Sequence, residues 1–332
     1  MGQMSPHRMS RPNYRIGLLG ASRIAPKAII APALKRDDCT IAAIACRDVA
    51  RGRTYAIEHG IPDAEIVDDY AALCARGDID IIYNALPPSK HVEFARAAMG
   101  KVQLIEKPFA MNAGEAAQIA QFPGIIMEAF HHRYHPAFGR FLKAVEAIKP
   151  LTHMTGRFHV TIPNKTGELR HDAALGGGSL MDLGTYPLQI ARTIAGREPR
   201  VRRAAAIEGN PRIDLFIEAE LDFGDGLTAT ISSDMREGIE RTNYFEVEGA
   251  GGTVRFENPV HPYRGCTITT PNGITTDADH PRWQSVTTYD AQLAHLLASL
   301  GMGMPPLTGA ISAEKQMQVI DDIYTAAGLG PR

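Results

Sequence analysis

From position 14 onward, short apolar runs alternate with longer stretches of mixed polarity. The run 14–19 (YRIGLL) predicts a short buried strand. It ends in the small-residue turn Gly20-Ala21-Ser22-Arg23-Ile24-Ala25, within or just after which a helix begins. A second strand is predicted over 40–46, followed by Arg47, Asp48 and a helix closed at Gly60, a residue suited to the left-handed end of a helix. Asp69 is placed to cap a short helix to 76. The run 79–86 predicts a strand ending at Leu86 before Pro87-Pro88, and the helix after it stops at Gly100. Next, 102–105 reads as a buried strand running into Glu106-Lys107-Pro108, and Asn112 with Glu115 resembles a capping box for a helix to 121. A last strand, 125–130, leads into His131-His132-Arg133.

Strands alternating with helices imply right-handed crossovers and a parallel sheet covered on both faces. In such sheets ligands bind outside the carboxyl ends of the strands, which places Gly20, Arg47, Leu86, Pro87, Glu106 and Lys107 along one edge.

After Pro136 the texture changes. A helix over 137–148 precedes β-type runs at 155–162, 201–207, 214–223, 227–232, 244–248, 253–256 and 266–270. Asp225-Gly226 and the glycine-rich 249–252 are hairpin signals, so an open, mainly antiparallel sheet is expected. Alternation through 213–223 puts Leu215, Ile217, Ala219 and Leu221 on one side and Phe216 on the other. A largely apolar outer face, free to meet a second copy of the chain, is expected of such a sheet. Helices over 289–300 and 313–327 close the chain. The expected division is a disordered leader at 1–13, an α/β dinucleotide-binding domain at 14–132 and an α+β substrate and oligomerisation domain at 133–332.

Composition narrows the partners. A net charge of −2 gives no basic field for nucleic acid or anionic lipid, and no apolar stretch approaches the ~18 residues of a membrane span. The first residues carry arginines with no apolar core behind them, so a secretory signal is not expected. Four cysteines without paired spacing read as reduced structural thiols of a cytoplasmic protein.

The turn at 20–25 keeps only the first glycine of a dinucleotide fingerprint. Ser22 in the second place adds a small donor for phosphate, and Ala25 in the third still permits close helix packing. Alone, the turn reads equally well as an ordinary strand–turn–helix, and its place on the first strand of a βαβαβ run favours a cofactor. After the second strand, an acid favours the ribose of NAD and an arginine favours the 2′-phosphate of NADP. Asp48 has a local duty as helix cap whereas Arg47 has none, and Arg23 lies in the adjoining turn. NADP is expected, with NAD open.

Several segments resemble the Gfo/Idh/MocA oxidoreductases. They are GKVQLIEKP at 100–108, NALPPSKH at 84–91, EAFHHRYHP at 128–136, GGGSLMDLGTY at 176–186 and the C-terminal VIDDIYTAAG. They occur in the family's order and cover nearly the whole chain after 14. The fourth carries Tyr186 where inositol-type members carry histidine, which is similar to the subgroup of glucose-fructose oxidoreductase, dihydrodiol dehydrogenase and NADP-linked xylose dehydrogenases. The resemblance implies a Rossmann domain, an open-sheet second domain and a homodimer or homotetramer formed through that sheet.

Hydride chemistry needs a C–H bond held over the nicotinamide and a group that handles the hydroxyl proton. Lys107, at a strand end facing the cofactor edge, is a candidate to hold the substrate oxygen, and the following Pro108 restricts its backbone. Asp182 and Tyr186 are four apart and share a helix face. Tyr186 is the candidate acid/base, with the Lys107 ammonium expected to lower its pKa from ~10, and Asp182 is expected to orient Lys107 or substrate. Arg133 and Arg170 are candidate substrate ligands, and His91 joins Ala21, Ser22, Arg23, Ile24, Leu86, Pro87 and Glu106 as a candidate cofactor contact. His131, His132 and His135 lack the spacing of a zinc site, so no metal is expected. The expected reaction is NADP(H)-dependent interconversion of a hydroxyl and a carbonyl on a sugar or cyclic polyol. The alternatives are a trans-dihydrodiol-type dehydrogenase, a redox-neutral enzyme that keeps its nicotinamide bound, and a nicotinamide-binding regulator.

Overall fold

The computed structural model describes residues 13–276 and 279–332, so the leader expected at 1–13 lies, apart from Asn13, outside the described residues. The first sheet holds β1 (Tyr14–Leu19), β2 (Cys39–Ala45), β3 (Glu65–Val67), β4 (Ile81–Asn84), β5 (Val102–Ile105) and β6 (Ile126–Glu128). Their order is β3-β2-β1-β4-β5-β6 and every pair is parallel. The apolar runs at β1 and β4 become the centre of the sheet, where Ile16, Leu18, Ile81 and Tyr83 are wholly buried. The chain order reverses between β1 and β4, which opens a crevice at their carboxyl ends. The sequence pattern does not announce β3, because three half-exposed edge residues bury too little to leave a periodic signal.

The second sheet holds β7 (Leu151–His159), β8 (Arg200–Glu208), β9 (Asp214–Gly224), β10 (Leu227–Asp234), β11 (Thr242–Gly249), β12 (Gly252–Glu257), β13 (Thr267–Thr270) and β14 (Gly273–Thr276). Its order is β14-β13-β12-β11-β7-β10-β9-β8, with all neighbours antiparallel except β7 and β10. Between those two parallel strands the chain runs through the helix Thr185–Ala195, which packs across the sheet. Gly156 in β7 makes the close approach possible, since a Cβ there would lie 2.6 Å from Pro187 Cβ.

The register separates the two faces. One row across the sheet reads Ala204, Ala219, Ile231, Gly156, Phe245, Phe256 and Ile268, and it faces the core. The adjacent row reads Arg203, Glu220, Thr230, Thr155, Glu246, Arg255 and Thr269. The outer face is therefore polar, studded with ion pairs such as Arg203–Glu220 and Arg255–Glu246, and not largely apolar as alternation in β9 alone suggested. Leu215, Ile217, Ala219 and Leu221 all lie inward, where helices of this chain cover them.

The last two helices tie the halves together. Helix Thr288–Met302 returns to the first sheet, with Tyr289, Leu293, Leu296 and Leu297 in one core with Ile16, Leu18 and Ile29. Helix Ala310–Ala326 packs Met317 and Ile320 against Ala116 and Ile119 of helix Ala113–Ala120. A division at 132/133 thus leaves helix Thr288–Met302 on the first sheet.

Glu128, the last residue of β6, sits wholly inside with Oε1 unpartnered, and burial pushes its carboxyl up to about 8. Its folded pKa is raised, so its contribution is present below about pH 4.5 and is lost as pH rises through about 8. Over that window stability falls by at most about 1.4 kcal/mol per pH unit from this group. Glu128→Gln is expected to melt higher than the parent at pH 8 and to flatten the dependence of Tm on pH; calorimetry at pH 5 and 8 checks both.

Candidate active site

The crevice at the strand ends continues into a cleft of about 490 Å³ between the two sheets, a volume suited to a small ligand. On its first wall, β1 gives way to Gly20, whose φ of +89° only glycine adopts freely. The backbone N–H groups of Ala21, Ser22, Arg23 and Ile24 meet no acceptor among the described residues. Two contacts fix this turn from behind: Arg51 donates to Ala21 O at 3.0 Å and the Tyr55 hydroxyl donates to Ser22 O at 2.8 Å. Ser22 Oγ accepts from Ala25 N at 3.2 Å, leaving its own proton available. A row of unpaired N–H groups at a helix entry is an anion cradle. Arg47, exposed past the end of β2, has no partner among the described residues, whereas Asp48 caps the helix Val49–Glu58 through Arg51 N.

A string of alternating charge crosses from this wall to the opposite one. Lys107, just past β5, donates from Nζ to Asp182 Oδ1 at 2.6 Å and to Asp182 O at 2.7 Å. Arg170 Nε donates to Asp182 Oδ2 at 2.6 Å, Arg170 Nη1 to Glu168 Oε1 at 3.0 Å, and Arg23 Nη2 reaches Glu168 at 3.5 Å. Burial alone would push the Asp182 carboxyl up, yet the two cations beside it hold it well below the usual carboxylate range. Of the three Lys107 protons, two are spent on Asp182 and one remains. Glu106 accepts from the Tyr83 hydroxyl at 2.6 Å, and burial pushes its carboxyl up.

Asp182 lies on a π-helical turn, Leu180–Gly184, and Tyr186 on the helix Thr185–Ala195 into which it leads. The start of the turn is anchored by buried Asp214, which accepts from Leu180 N at 2.7 Å, Ser179 Oγ at 2.9 Å and the Tyr324 hydroxyl at 2.9 Å, and pairs with Arg332. Gly178, at φ +126°, passes against that carboxylate, so the triple glycine serves backbone packing. Lys107 Nζ stands 5.1 Å from the centre of the Tyr186 ring. The Tyr186 hydroxyl faces His131 Nε2 at 3.2 Å, and His131 Nδ1 faces Thr288 Oγ1 at 2.8 Å. Burial, then Tyr289, Glu106 and Asp182, hold the Tyr186 phenol well above 10. The expected lowering by Lys107 is therefore reversed, because Asp182 engages the ammonium and its negative charge opposes a phenolate.

Lys107, Asp182, Tyr186 and Arg170 line the cleft together with Ser22, Arg23, Ile24, Leu86, Pro87 and Glu106. Gly20, Ala21 and Arg47 stand at the strand ends outside that lining, and two further expected residues are held away from it by other contacts. His91 is fully buried behind the cleft, its ring nitrogens 2.9 Å from Leu86 O and 3.1 Å from Phe109 O, so it ties together the loops after β4 and β5. Arg133 turns away, its guanidinium 5.1 Å from the Phe138 ring centre, and burial lowers its pKa. The clustered histidines part company as well: His132 Nε2 meets Gln189 at 3.0 Å and His135 Nε2 meets Trp283 O at 3.1 Å. Sequence reasoning missed His131, Tyr289 and His261, which also line the cleft. His131 read only as part of a histidine cluster weighed as a metal site, and residues 261 and 289 carried no local signal at all.

Among known proteins, residues 14–122 match the family described as an oxidoreductase family with an NAD-binding Rossmann fold, and residues 145–255 match the GFO/IDH/MocA C-terminal domain. The chain is similar to D-xylose 1-dehydrogenase (NADP(+)) 2 of Haloferax volcanii, at 30% identity over 95% of this chain and 97% of that protein. It is also similar to the dTDP-3,4-didehydro-2,6-dideoxy-alpha-D-glucose 3-reductase of Streptomyces antibioticus, at 33% identity over 76% of this chain and 78% of that protein. Among solved structures, aldose-aldose oxidoreductase from Caulobacter crescentus complexed with glycerol superposes with a TM-score of 0.83 at 26% identity, over 95% of this chain and 98% of that one. No helix among the described residues is long and apolar enough to cross a membrane.

Proposed function

The chain belongs to the Gfo/Idh/MocA oxidoreductase family, and from that membership we propose that it interconverts a hydroxyl and a carbonyl on a sugar or related cyclic polyol with NADP(H). The observation that carries the proposal is the meeting of Lys107 Nζ and Tyr186 in one cleft, 5.1 Å from ammonium to ring centre, beside the phosphate cradle.

The cofactor fits the residues present. The unpaired N–H groups of Ala21 to Ile24 and the Ser22 hydroxyl suit a pyrophosphate, and the unpaired Arg47 suits a 2′-phosphate, with Arg23 at the mouth. NADP is the preferred form, and NAD lacks only the group that Arg47 would meet. When bound, the nicotinamide supplies or accepts the hydride.

The protein handles the oxygen and its proton. The free Lys107 proton donates to the substrate oxygen and stabilises the alkoxide character that develops there. Asp182 keeps Lys107 aimed, and Arg170 fixes Asp182. Tyr186, held neutral by burial, donates its proton to a carbonyl in reduction, and in oxidation it takes the substrate proton as its own leaves. Phe158, Val160 and Ile162 form an apolar wall, which favours as second reading a less polar dihydrodiol ring. The polar outer face of the second sheet, uncovered by the chain's own helices, fits a homodimer or homotetramer held by hydrogen bonds and ion pairs. Cys39, Cys46 and Cys74, free and buried, support a cytoplasmic setting.

Turnover is followed at the reduced-nicotinamide absorbance with aldoses, polyols and dihydrodiols. Tyr186→Phe and Lys107→Met are each expected to lower kcat by about 10²–10⁴-fold while the folded state is kept; full turnover in either variant overturns the proposed roles. Arg47→Glu is expected to weaken NADP binding by tenfold or more and to leave NAD binding unchanged, as read by fluorescence titration. In sedimentation, a dimer or tetramer that loosens in high salt is expected, and a monomer at every concentration contradicts the assembly.

A further inference from the structure

The Tyr186 hydroxyl has a second neighbour besides the cleft. We propose that His131 is a positioning residue that relays the proton of Tyr186, accepting it at Nε2 as the substrate hydroxyl gives its own proton to the Tyr186 oxygen. The inference rests on the proposed function and explains how a phenol held neutral acts as a base.

The geometry is a closed line of three side chains. Tyr186 hydroxyl to His131 Nε2 is 3.2 Å, and His131 Nδ1 to Thr288 Oγ1 is 2.8 Å. No other protein partner of the Tyr186 hydroxyl exists among the described residues. All three side chains are buried, and His131 and Tyr186 both reach the wall of the cleft. Thr288 opens the helix Thr288–Met302, so the C-terminal segment that returns to the first sheet carries the anchor of the imidazole. The neighbouring Tyr289 ring, 4.2 Å from the imidazole centre to centre, limits its rotation.

Two neutral arrangements satisfy this line. In one, Nδ1–H donates to Thr288 and Nε2 accepts from the Tyr186 O–H, leaving the Tyr186 lone pairs to accept from a substrate hydroxyl. In the other, the Thr288 hydroxyl donates to Nδ1 and Nε2–H donates to Tyr186, leaving the Tyr186 O–H to meet a substrate carbonyl. One imidazole thus aligns the phenol toward either substrate oxygen, and reduction without a phenolate runs from the imidazolium, whose Nε2 proton replaces the one Tyr186 gives to the carbonyl.

In oxidation, the carbinol C–H bond breaks and its hydrogen leaves with the electron pair for the oxidised nicotinamide. The substrate O–H proton moves to the Tyr186 oxygen, and the former Tyr186 proton moves to Nε2. The products are a carbonyl, reduced nicotinamide, neutral Tyr186 and an imidazolium at His131. Positive charge is lost at the hydride acceptor as it appears at His131, so the net charge of the cleft is constant. The proton returns through the Tyr186 oxygen to water once product leaves. Groups facing His131 set when it holds a proton: Tyr186 from its own helix, Tyr289 beside Thr288, His261, the adjacent His132, and Lys107 and Lys27 from the cofactor side. Burial, then those histidines and cations, keeps the resting imidazole neutral and opposes its cation, so the transferred proton is not retained after turnover.

The test uses the full chain. His131→Gln retains a hydrogen bond to Tyr186 but cannot become a cation. Its kcat for oxidation is expected to fall about 10–100-fold, its acid limb to move up by about one pH unit or more toward ionisation of Tyr186, and its proton inventory in mixed H₂O/D₂O to change from curved to linear. His131→Ala is expected to regain turnover on addition of imidazole, a recovery that lost packing does not produce. A folded His131→Gln with the parental pH profile and proton inventory overturns the proposal, as does a folded His131→Ala that imidazole leaves unchanged. Nitrogen-15 shifts of the His131 ring, compared between parent and Tyr186→Phe without substrate, report the pair independently of turnover. A parent inactive on every substrate sinks the proposed reaction, whereas an Nε2 shift indifferent to Tyr186→Phe sinks the relay.

Discussion

The contact between Lys107 and Asp182 is the constraint on which the site depends. It joins the end of β5 in the first sheet to the helical turn over the second, through both the carboxylate and the backbone oxygen of Asp182. Both side chains are largely shielded from water, at 12% and 17% exposed, so the charges cannot fall back on solvent. Removing one partner of such a pair costs about 3–5 kcal/mol, chiefly for the charge left behind. Arg170 moderates that cost on one side only, because Asp182 would keep a cation and Lys107 would keep no anion within hydrogen-bond reach.

Behind this contact stands a second buried carboxylate with a different task. Asp214 collects Leu180 N, Ser179, Tyr324 and Arg332, and so fixes where the turn bearing Asp182 begins. The two acids thus hold one short helical segment at its start and at its cleft face. With that segment fixed, Tyr186 cannot drift from Lys107 without breaking charge-assisted bonds in the interior. The same burial that fixes the phenol also denies it ionisation, which is why its proton must have somewhere to go.

Sequence pattern carried the fold because both sheets obey simple rules. Apolar runs such as 14–19 and 79–86 form the centre of a parallel sheet, and hairpin glycines at 225–226 and 249–252 mark the antiparallel one. The motif residues Lys107, Asp182 and Tyr186 were legible through the family resemblance of their segments, with strand-end position and helical spacing in support, and they do meet. What escaped was anything set by the far end of the chain. Tyr289 reaches the cleft and Thr288 reaches His131 behind it because helix Thr288–Met302 folds back over β1, and no local pattern encodes a return across more than 150 residues. His91 and Arg133 show the opposite error: polar residues near a ligand edge were read as contacts, while backbone carbonyls at His91 and a phenyl ring at Arg133 claim their side chains.

The account turns on the amine and the phenol serving a single substrate oxygen, and a kinetic double-mutant cycle on Lys107→Met and Tyr186→Phe measures that most directly. Groups acting as one unit lose their effect together, so the double variant is expected to be little slower than the worse single variant. Independent, multiplicative losses of kcat/KM in the double variant would contradict the account.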